Sequence, residues 1–334
     1  MKYVSWVEKN RPNKLDEICY QEDVKIGLKN FVKSKNIPHL MFFGPSGSGK
    51  TSTIIALAKE MFGPFYKDRI KELNASDERG INVVREKIKN FAQESINISQ
   101  TMIKSGKKVQ LPPWKIIILD EADNMTSESQ YALRRIMEEY SKVTRFCIIC
   151  NYHHKIIDPI VSRCSLFRFK PIPNNKIKSQ LKLISKKEKF KVSISVVNKI
   201  CDYARGDLRK AINFLQRCHN CFGDEISSLI IDEISGIIDK NKLKQFINIC
   251  IDKKEEEVIE FINYIFYSGY SVVNQILPFH DLVLNSNKLS SIQKSSIIIT
   301  LGNIDQNLIK GCDEYIQLYR LAYFIMSLKN NKNQ

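Results

Sequence analysis

The chain has 334 residues, 43% hydrophobic and 10% aromatic, enough to bury packed cores in two or three domains. Lys and Arg outnumber Asp and Glu by 52 to 36, and the formal charge of +16 points towards a polyanionic partner. No apolar stretch reaches the length of a membrane span, and residues 1–12 lack the apolar centre of a signal peptide, which argues against membrane and secreted classes. The nine cysteines are odd in number and scattered, as expected of reduced thiols in a cytosolic or nuclear compartment.

In chain order, the first strong signal is the apolar run Leu40-Met41-Phe42-Phe43, which predicts a buried strand. It leads into Gly44-Pro45-Ser46-Gly47-Ser48-Gly49-Lys50-Thr51 and a helix-like stretch over 52–62. This matches G-x-x-x-x-G-K-[ST] in its proper context of strand, loop and helix. The glycines let successive backbone N–H groups turn inward on a phosphate, and the helix presents its positive end to the same anion. Lys50 can reach the β- and γ-oxygens and Thr51 can place a hydroxyl on Mg²⁺.

A strand over 70–73 precedes a helix around Asn82, where Arg79, Arg85, Lys87 and Lys89 gather. That group reads either as a ligand for a nucleic-acid backbone or as a solvated face paired with Glu78 and Glu86. Trp114-Lys115-Ile116-Ile117-Ile118-Leu119-Asp120-Glu121 predicts another buried strand ending in two carboxylates. Asp120 suits the magnesium shell, and Glu121, aimed differently, suits the orientation of an attacking water. Taken without the phosphate loop, the same acids have a second, less favoured reading as a helix N-terminus, where carboxylates suit the dipole. A third continuous apolar strand, 144–150, ends in Asn151, either a turn residue or an amide facing the γ-phosphate.

Arg163 follows a short element over 158–161 and has no obvious local partner; it reads as a surface arginine or as a finger for a neighbour's γ-phosphate. The stretch 171–175, with two prolines and two asparagines, reads as a linker. The lysine-rich segment 170–191 reads as an amphipathic helix whose polar face meets solvent or nucleic acid. Short helices are expected over 176–233, with Asp207 as N-cap of a helix over 208–219 that carries Arg209 in its first turn. Arg209 can fold over phosphates bound by the first domain. Beyond Ser235 the pattern is helical, with no catalytic constellation. Cys147 and Cys150, three apart in a strand, should face opposite sides, and Cys218 and Cys221 could meet on a helix but have no second pair. All four are expected to be structural thiols.

Several stretches together resemble the small ATP-binding subunits of replication factor C, the eukaryotic sliding-clamp loader of the AAA+ superfamily. They include Trp6-Val7-Glu8-Lys9, Leu73-Asn74-Ala75-Ser76-Asp77-Glu78-Arg79-Gly80, Val83-Val84-Arg85-Glu86-Lys87, Ile118-Leu119-Asp120-Glu121-Ala122-Asp123, Ala132-Leu133-Arg134-Arg135 and Ser162-Arg163-Cys164. The resemblance runs over about 5–216; the last third is similar only in being helical. It implies an α/β fold: an AAA+ P-loop parallel-sheet domain over 1–170, a small helical lid over 171–234 and an all-α collar over 235–334.

By the same resemblance, Val7 and Arg11 bracket adenine, and the loop Gly44, Pro45, Ser46, Gly47, Ser48, Gly49, Lys50, Thr51 and Ser52 holds the phosphates of ATP. Thr51 and Asp120 hold Mg²⁺, with Glu121 catalytic. Asn151 matches the first sensor, Arg209 the second, and Arg163 the finger acting on an adjacent subunit. Asn74 matches a switch residue that restrains the catalytic glutamate until DNA is bound. Arg79 and Arg85 match positions lining a DNA channel, and the helix over 91–98 resembles the part that rests on the clamp. Partners implied are the other clamp-loader subunits, five in all, the ring-shaped sliding clamp, and primer-template DNA held through its phosphates; the implied location is the nucleus, with no membrane.

Asn10 stands where relatives usually carry a tyrosine, and Ser46 and Ser48 replace a proline and a threonine, changes expected to be tolerated because the chemistry resides in the glycines, Lys50 and Thr51. Two alternatives share these residues. One is a different AAA+ DNA-remodelling ATPase such as a branch-migration motor, marked by a hexameric ring or a DNA-reading C-terminal domain. The other is a non-hydrolysing scaffold subunit, against which the intact Asp120-Glu121 pair argues.

Overall fold

A computed structural model describes residues 4–75, 81–94, 101–104, 107–223, 226, 231 and 234–328. The chain divides into two compact units, Met1–Glu225 and Ile226–Gln334.

The first unit is built on strands β1 (His39–Phe43), β2 (Ile70–Asn74), β5 (Lys115–Asp120), β6 (Thr144–Cys150) and β7 (Cys164–Arg168), in the order β2-β5-β6-β1-β7. Every pairing within this sheet is parallel. β1, β5 and β6 read as unbroken apolar runs because both faces are covered, so neither register of the pleat meets water. Leu40 and Phe42 enter the core on one face, with Ile54 and Leu57 of helix α3 (Lys50–Phe62) and Leu28 of α2 (Glu22–Ser34). Met41 enters the opposite core, with Ile88 of α5 (Ile81–Gln93) and Leu133 and Met137 of α6 (Ser127–Glu139). Cys147 and Cys150 fall into these two different cores, as their spacing predicts. Cys218 is buried and Cys221 exposed, so that pair does not form a site either.

Two features depart from the expected alternation. A two-stranded antiparallel hairpin, β3 (Thr101–Lys104) and β4 (Lys107–Gln110), stands apart from the sheet. Too few apolar residues lie in those eight positions for periodicity to reveal them. The linker is also shorter than its composition suggests, since Asn174 and Asn175 open the next helix behind an N-cap at Pro173.

Three further helices pack in the same unit: α8 (Asn174–Lys187), α9 (Ile194–Ala204) and α10 (Leu208–Phe222), which follow the four-residue helices α4 (Tyr66–Arg69) and α7 (Asp158–Val161). Ile177, Leu181 and Ile184 point the apolar stripe of α8 inward and leave its lysines on the opposite face. Ser193 and Asp207 cap α9 and α10 by accepting hydrogen bonds from the N3 amides, as short polar N-caps do. The N-terminal helix α1 (Trp6–Lys9) is fastened to these helices: Trp6 stacks on Phe190 and meets the His219 ring at a tilt, and its amide donates to Gln216 Oε1 at 3.0 Å.

Among the described residues, the second unit is helical, with Lys240–Ile251, Glu255–Tyr267, Val272–Leu284, Ser291–Ile309 and Glu314–Ser327 around a core that includes Phe246, Ile262, Phe279, Ile297 and Leu321. Ile297 and Leu301, a short apolar run in sequence, thus belong to the buried side of one long helix. No helix among the described residues is long and apolar enough to cross a membrane.

His39, at the head of β1, accepts the Phe146 N–H on Nδ1 at 3.1 Å. Burial, aided by the charge of Arg145, pushes its pKa down from 6.5 to about 4. The folded chain therefore keeps the ring neutral where the unfolded chain would bind a proton, and stability falls as pH drops through the window from 6.5 to about 4. His39→Asn, which retains an acceptor for Phe146, is expected to flatten that loss in urea titrations followed by Trp6 and Trp114, both in this unit. An unchanged acid-side slope would contradict it.

Candidate active site

Sheet register decides which residues meet. Phe43, the last residue of β1, lies opposite Cys150 of β6, and Leu119 of β5 lies opposite Ile148. Residues leaving these strands therefore emerge side by side at the carboxyl edge, where open α/β sheets collect ligands. Gly44, Asp120 and Asn151 are those residues. At Gly44, with φ of +143°, a Cβ would lie 2.3 Å from the Phe169 carbonyl, so only glycine lets the loop depart this close to the chain leaving β7.

Gly49 is the left-handed N-cap of α3, so Lys50 opens the helix and turns back under the loop. Its ammonium donates to Gly44 O at 2.7 Å, Pro45 O at 2.9 Å and Asn151 Oδ1 at 3.0 Å. Three donors thus meet three neutral oxygens. Burial lowers the Lys50 pKa, Asp120 opposes that, and the charge of Arg209 adds to it. A buried cation solvated by carbonyl dipoles beside a helix N-terminus is poised to exchange those oxygens for the oxygens of a polyphosphate.

Thr51 Oγ1 donates to Asp120 Oδ2 at 2.6 Å, which brings a hydroxyl and a carboxylate together one residue beyond Lys50. Such a pair fits Mg²⁺, which accepts few protein carboxylates and keeps positions for water and substrate oxygens. No group of three or more His, Cys, Asp or Glu gathers among the described residues. Asp120 Oδ1 accepts the amide of Glu121 at 2.9 Å. Glu121 itself adopts a left-handed backbone, with φ of 54°, uncommon for a residue bearing a Cβ. Its exposed carboxylate is 3.4 Å from Asn124 Nδ2. Asn74, at the end of β2, pairs in register with Asp120.

The same cleft is lined by Val7, Asn10 and Arg11 of the N-terminal segment, by residues 46–52, by Asp120, Glu121 and Asn151, and by Gln180, Arg209 and Ile212 of the helical layer. The N-terminal segment reaches it because it is pinned at both ends, Trp6 in the helices and Leu15 in the sheet core. Cys150 adjoins the cleft, but burial pushes its thiol up to about 12, so it stays protonated and unreactive.

Four side chains matter more than their sequence context suggests. Asp123 Oδ2 accepts the Asn151 amide at 3.3 Å, while its Oδ1 is buried without a hydrogen-bond partner. Ser46 and Asp207 contact each other across the loop and α10, although Ser46 reads in sequence as a neutral replacement. Arg163, without an obvious local partner in sequence, meets a distant one: α6 brings Glu138 Oε1 to 2.6 Å from Arg163 Nη2 and 3.1 Å from Arg134 Nε, and Pro159 O accepts from Nη1 at 2.6 Å. The i, i+4 spacing of Arg134 and Glu138 is legible in sequence; the return of Arg163 to that helix is not. Arg163 lies outside the cleft, beside a hollow that it shares with Arg145 and His39. Arg79 lies outside the described residues, Arg85 is on α5 with its side chain outside them, and of the 91–98 segment the description reaches Glu94.

Residues 40–172 match the family described as ATPase family associated with various cellular activities, residues 179–218 the RCF1/5-like AAA+ ATPase lid domain, and residues 238–323 the replication factor C C-terminal domain. Human replication factor C subunit 4 is 46% identical, over 97% of this chain and 88% of its own length. Subunit 2 of Saccharomyces cerevisiae is 42% identical over 97% and 93%. The small subunit of the archaeon Staphylothermus marinus is 39% identical over 97% and 96%. Among solved structures, the Holliday junction branch migration motor RuvB of Thermotoga maritima aligns with a TM-score of 0.54 at 17% identity, over 73% of this chain and 80% of that one, a likeness of fold. With relatives matched almost end to end and a P-loop cleft in place, the chain belongs to the replication factor C family, the AAA+ ATPase subunits of the sliding-clamp loader.

Proposed function

We propose that this chain binds ATP with Mg²⁺ in the cleft between 44–52, Asp120, Asn151 and Arg209, and that in a nuclear five-subunit loader it uses binding and hydrolysis to place a ring-shaped clamp on primer-template DNA. The observation that carries the reading is the convergence of Lys50, the Thr51 and Asp120 pair, and Asn151 on one point at the sheet edge, with family membership behind it. When bound, Mg²⁺ would supply charge neutralisation to the phosphates.

The residues then have separable tasks. Lys50 exchanges the carbonyls of Gly44 and Pro45 for phosphate oxygens, and Thr51 and Asp120 hold the metal. Glu121, which follows Asp120 in a left-handed backbone and lines the same cleft, orients the attacking water. Asn151 reads the terminal phosphate, with Asp123 fixing the backbone from which it projects. Arg209 reaches in from the lid, and Val7 and Arg11 embrace the base. Asn74 takes the switch role, a reading supported by its register with Asp120. Arg163 serves a neighbouring subunit's nucleotide, exchanging Glu138 for a phosphate; an exposed ion pair holds it weakly enough for that. Arg79 and Arg85 would meet DNA phosphates, giving affinity without sequence preference.

Titration calorimetry on Lys50→Ala is the primary test: no heat of ATP binding is expected, and undiminished binding would refute the site. Asp123→Ala removes about 1 kcal/mol of support from Asn151, so turnover by the reconstituted complex is expected to drop roughly fivefold with ATP affinity little changed. Arg163→Ala should bind ATP normally yet slow hydrolysis in the assembled complex by on the order of 10³ at the neighbouring site; unchanged single-turnover rates there would count against the finger.

A further inference from the structure

The lid helix α10 and the phosphate loop are joined by a polar clasp that the catalytic scheme does not use. Ser46 Oγ donates to Asp207 Oδ2 at 3.0 Å, and the Leu208 amide donates to Gly47 O at 3.2 Å. Asp207 Oδ1 meanwhile accepts the Lys210 amide at 2.9 Å. One carboxylate, 9% exposed, therefore both starts α10 and grips the loop. The fit is close: a Cβ on Gly47 would lie 1.7 Å from Asp207 Oδ1, so the helix end rests on the bare backbone of the loop.

Arg209 is two residues further along the same first turn and lines the phosphate cleft. Any movement that withdraws Arg209 with α10 must break both hydrogen bonds of the clasp. We propose that Ser46 and Asp207 are positioning residues which latch the lid to the phosphate loop, holding Arg209 over the phosphates and slowing escape of bound nucleotide. The inference rests on the nucleotide-site reading given above. Physically, release requires the lid to part from the loop, and the clasp adds its own free energy to that opening.

The position of the donor gives the latch a specific test, because Ser46 contributes its hydroxyl to Asp207 and neither the cap of α10 nor the backbone N–H groups of the loop depend on it. Stopped-flow release of a fluorescent ADP analogue from the full chain is expected to be about fivefold faster in Ser46→Ala, as loss of one hydrogen bond implies. Ser46→Thr, which retains the hydroxyl, is expected to release it at the unaltered rate. Hydrogen exchange without nucleotide gives a second reading: Ser46→Ala should deprotect the Leu208 amide while amides in the middle of α10 keep their protection. Equal release rates for Ser46→Ala and the unaltered chain, or a Ser46→Thr protein as fast as Ser46→Ala, would overturn the latch. If the unaltered chain bound no nucleotide, the site reading would fall, and the Leu208 exchange would still decide whether the clasp exists.

Discussion

The ammonium of Lys50 organises the site. Folding places it at the first turn of α3, under a loop whose carbonyls it crosslinks, and ties it to Asn151 at the end of a neighbouring strand. A charge buried this far is costly unless each of its donors is satisfied, so the loop curls around the cation even before an anion arrives. The shape that satisfies Lys50 is the shape that a polyphosphate needs. Loop, helix and strand end therefore form one prearranged unit, and little ordering remains to be done on binding.

Around that centre, the fold brings in contributions from distant parts of the chain. The sheet delivers Asp120 and Asn151 because β5, β6 and β1 are adjacent and parallel in close register. The helical layer delivers Arg209, and the N-terminal segment, anchored by the packing of Trp6 against Phe190 and His219, delivers Val7 and Arg11. Each contributor is held by apolar burial at some distance from the cleft, so the polar groups are positioned by packing and do not have to hold themselves in place.

The surface arginine Arg163 illustrates the opposite strategy. It sits outside its own cleft, on a shared carboxylate with Arg134, in a pairing exposed to solvent. Such a contact orients a side chain without committing it, which is compatible with a group whose partner belongs to another subunit. In a family whose members assemble, the finger role proposed for Arg163 would make hydrolysis depend on correct assembly.

Local spacing was sufficient to identify the phosphate loop, the Asp120 and Glu121 pair, the three apolar strands and the cap at Asp207, because each depends on neighbours within a few residues: a glycine pattern, a β-run, a polar N-cap. The separation of Cys147 and Cys150 onto two faces was legible for the same reason, since a strand has a period of two. The pairings of Ser46 with Asp207, Asp123 with the Asn151 amide, and Arg163 with Glu138 were not, and neither was the hairpin formed by β3 and β4. These depend on strand order, on register and on how helices cross, quantities to which every packed residue contributes and which no single motif encodes. Residue chemistry thus dictated what the cleft can bind, whereas three-dimensional packing decided which remote side chains meet around it.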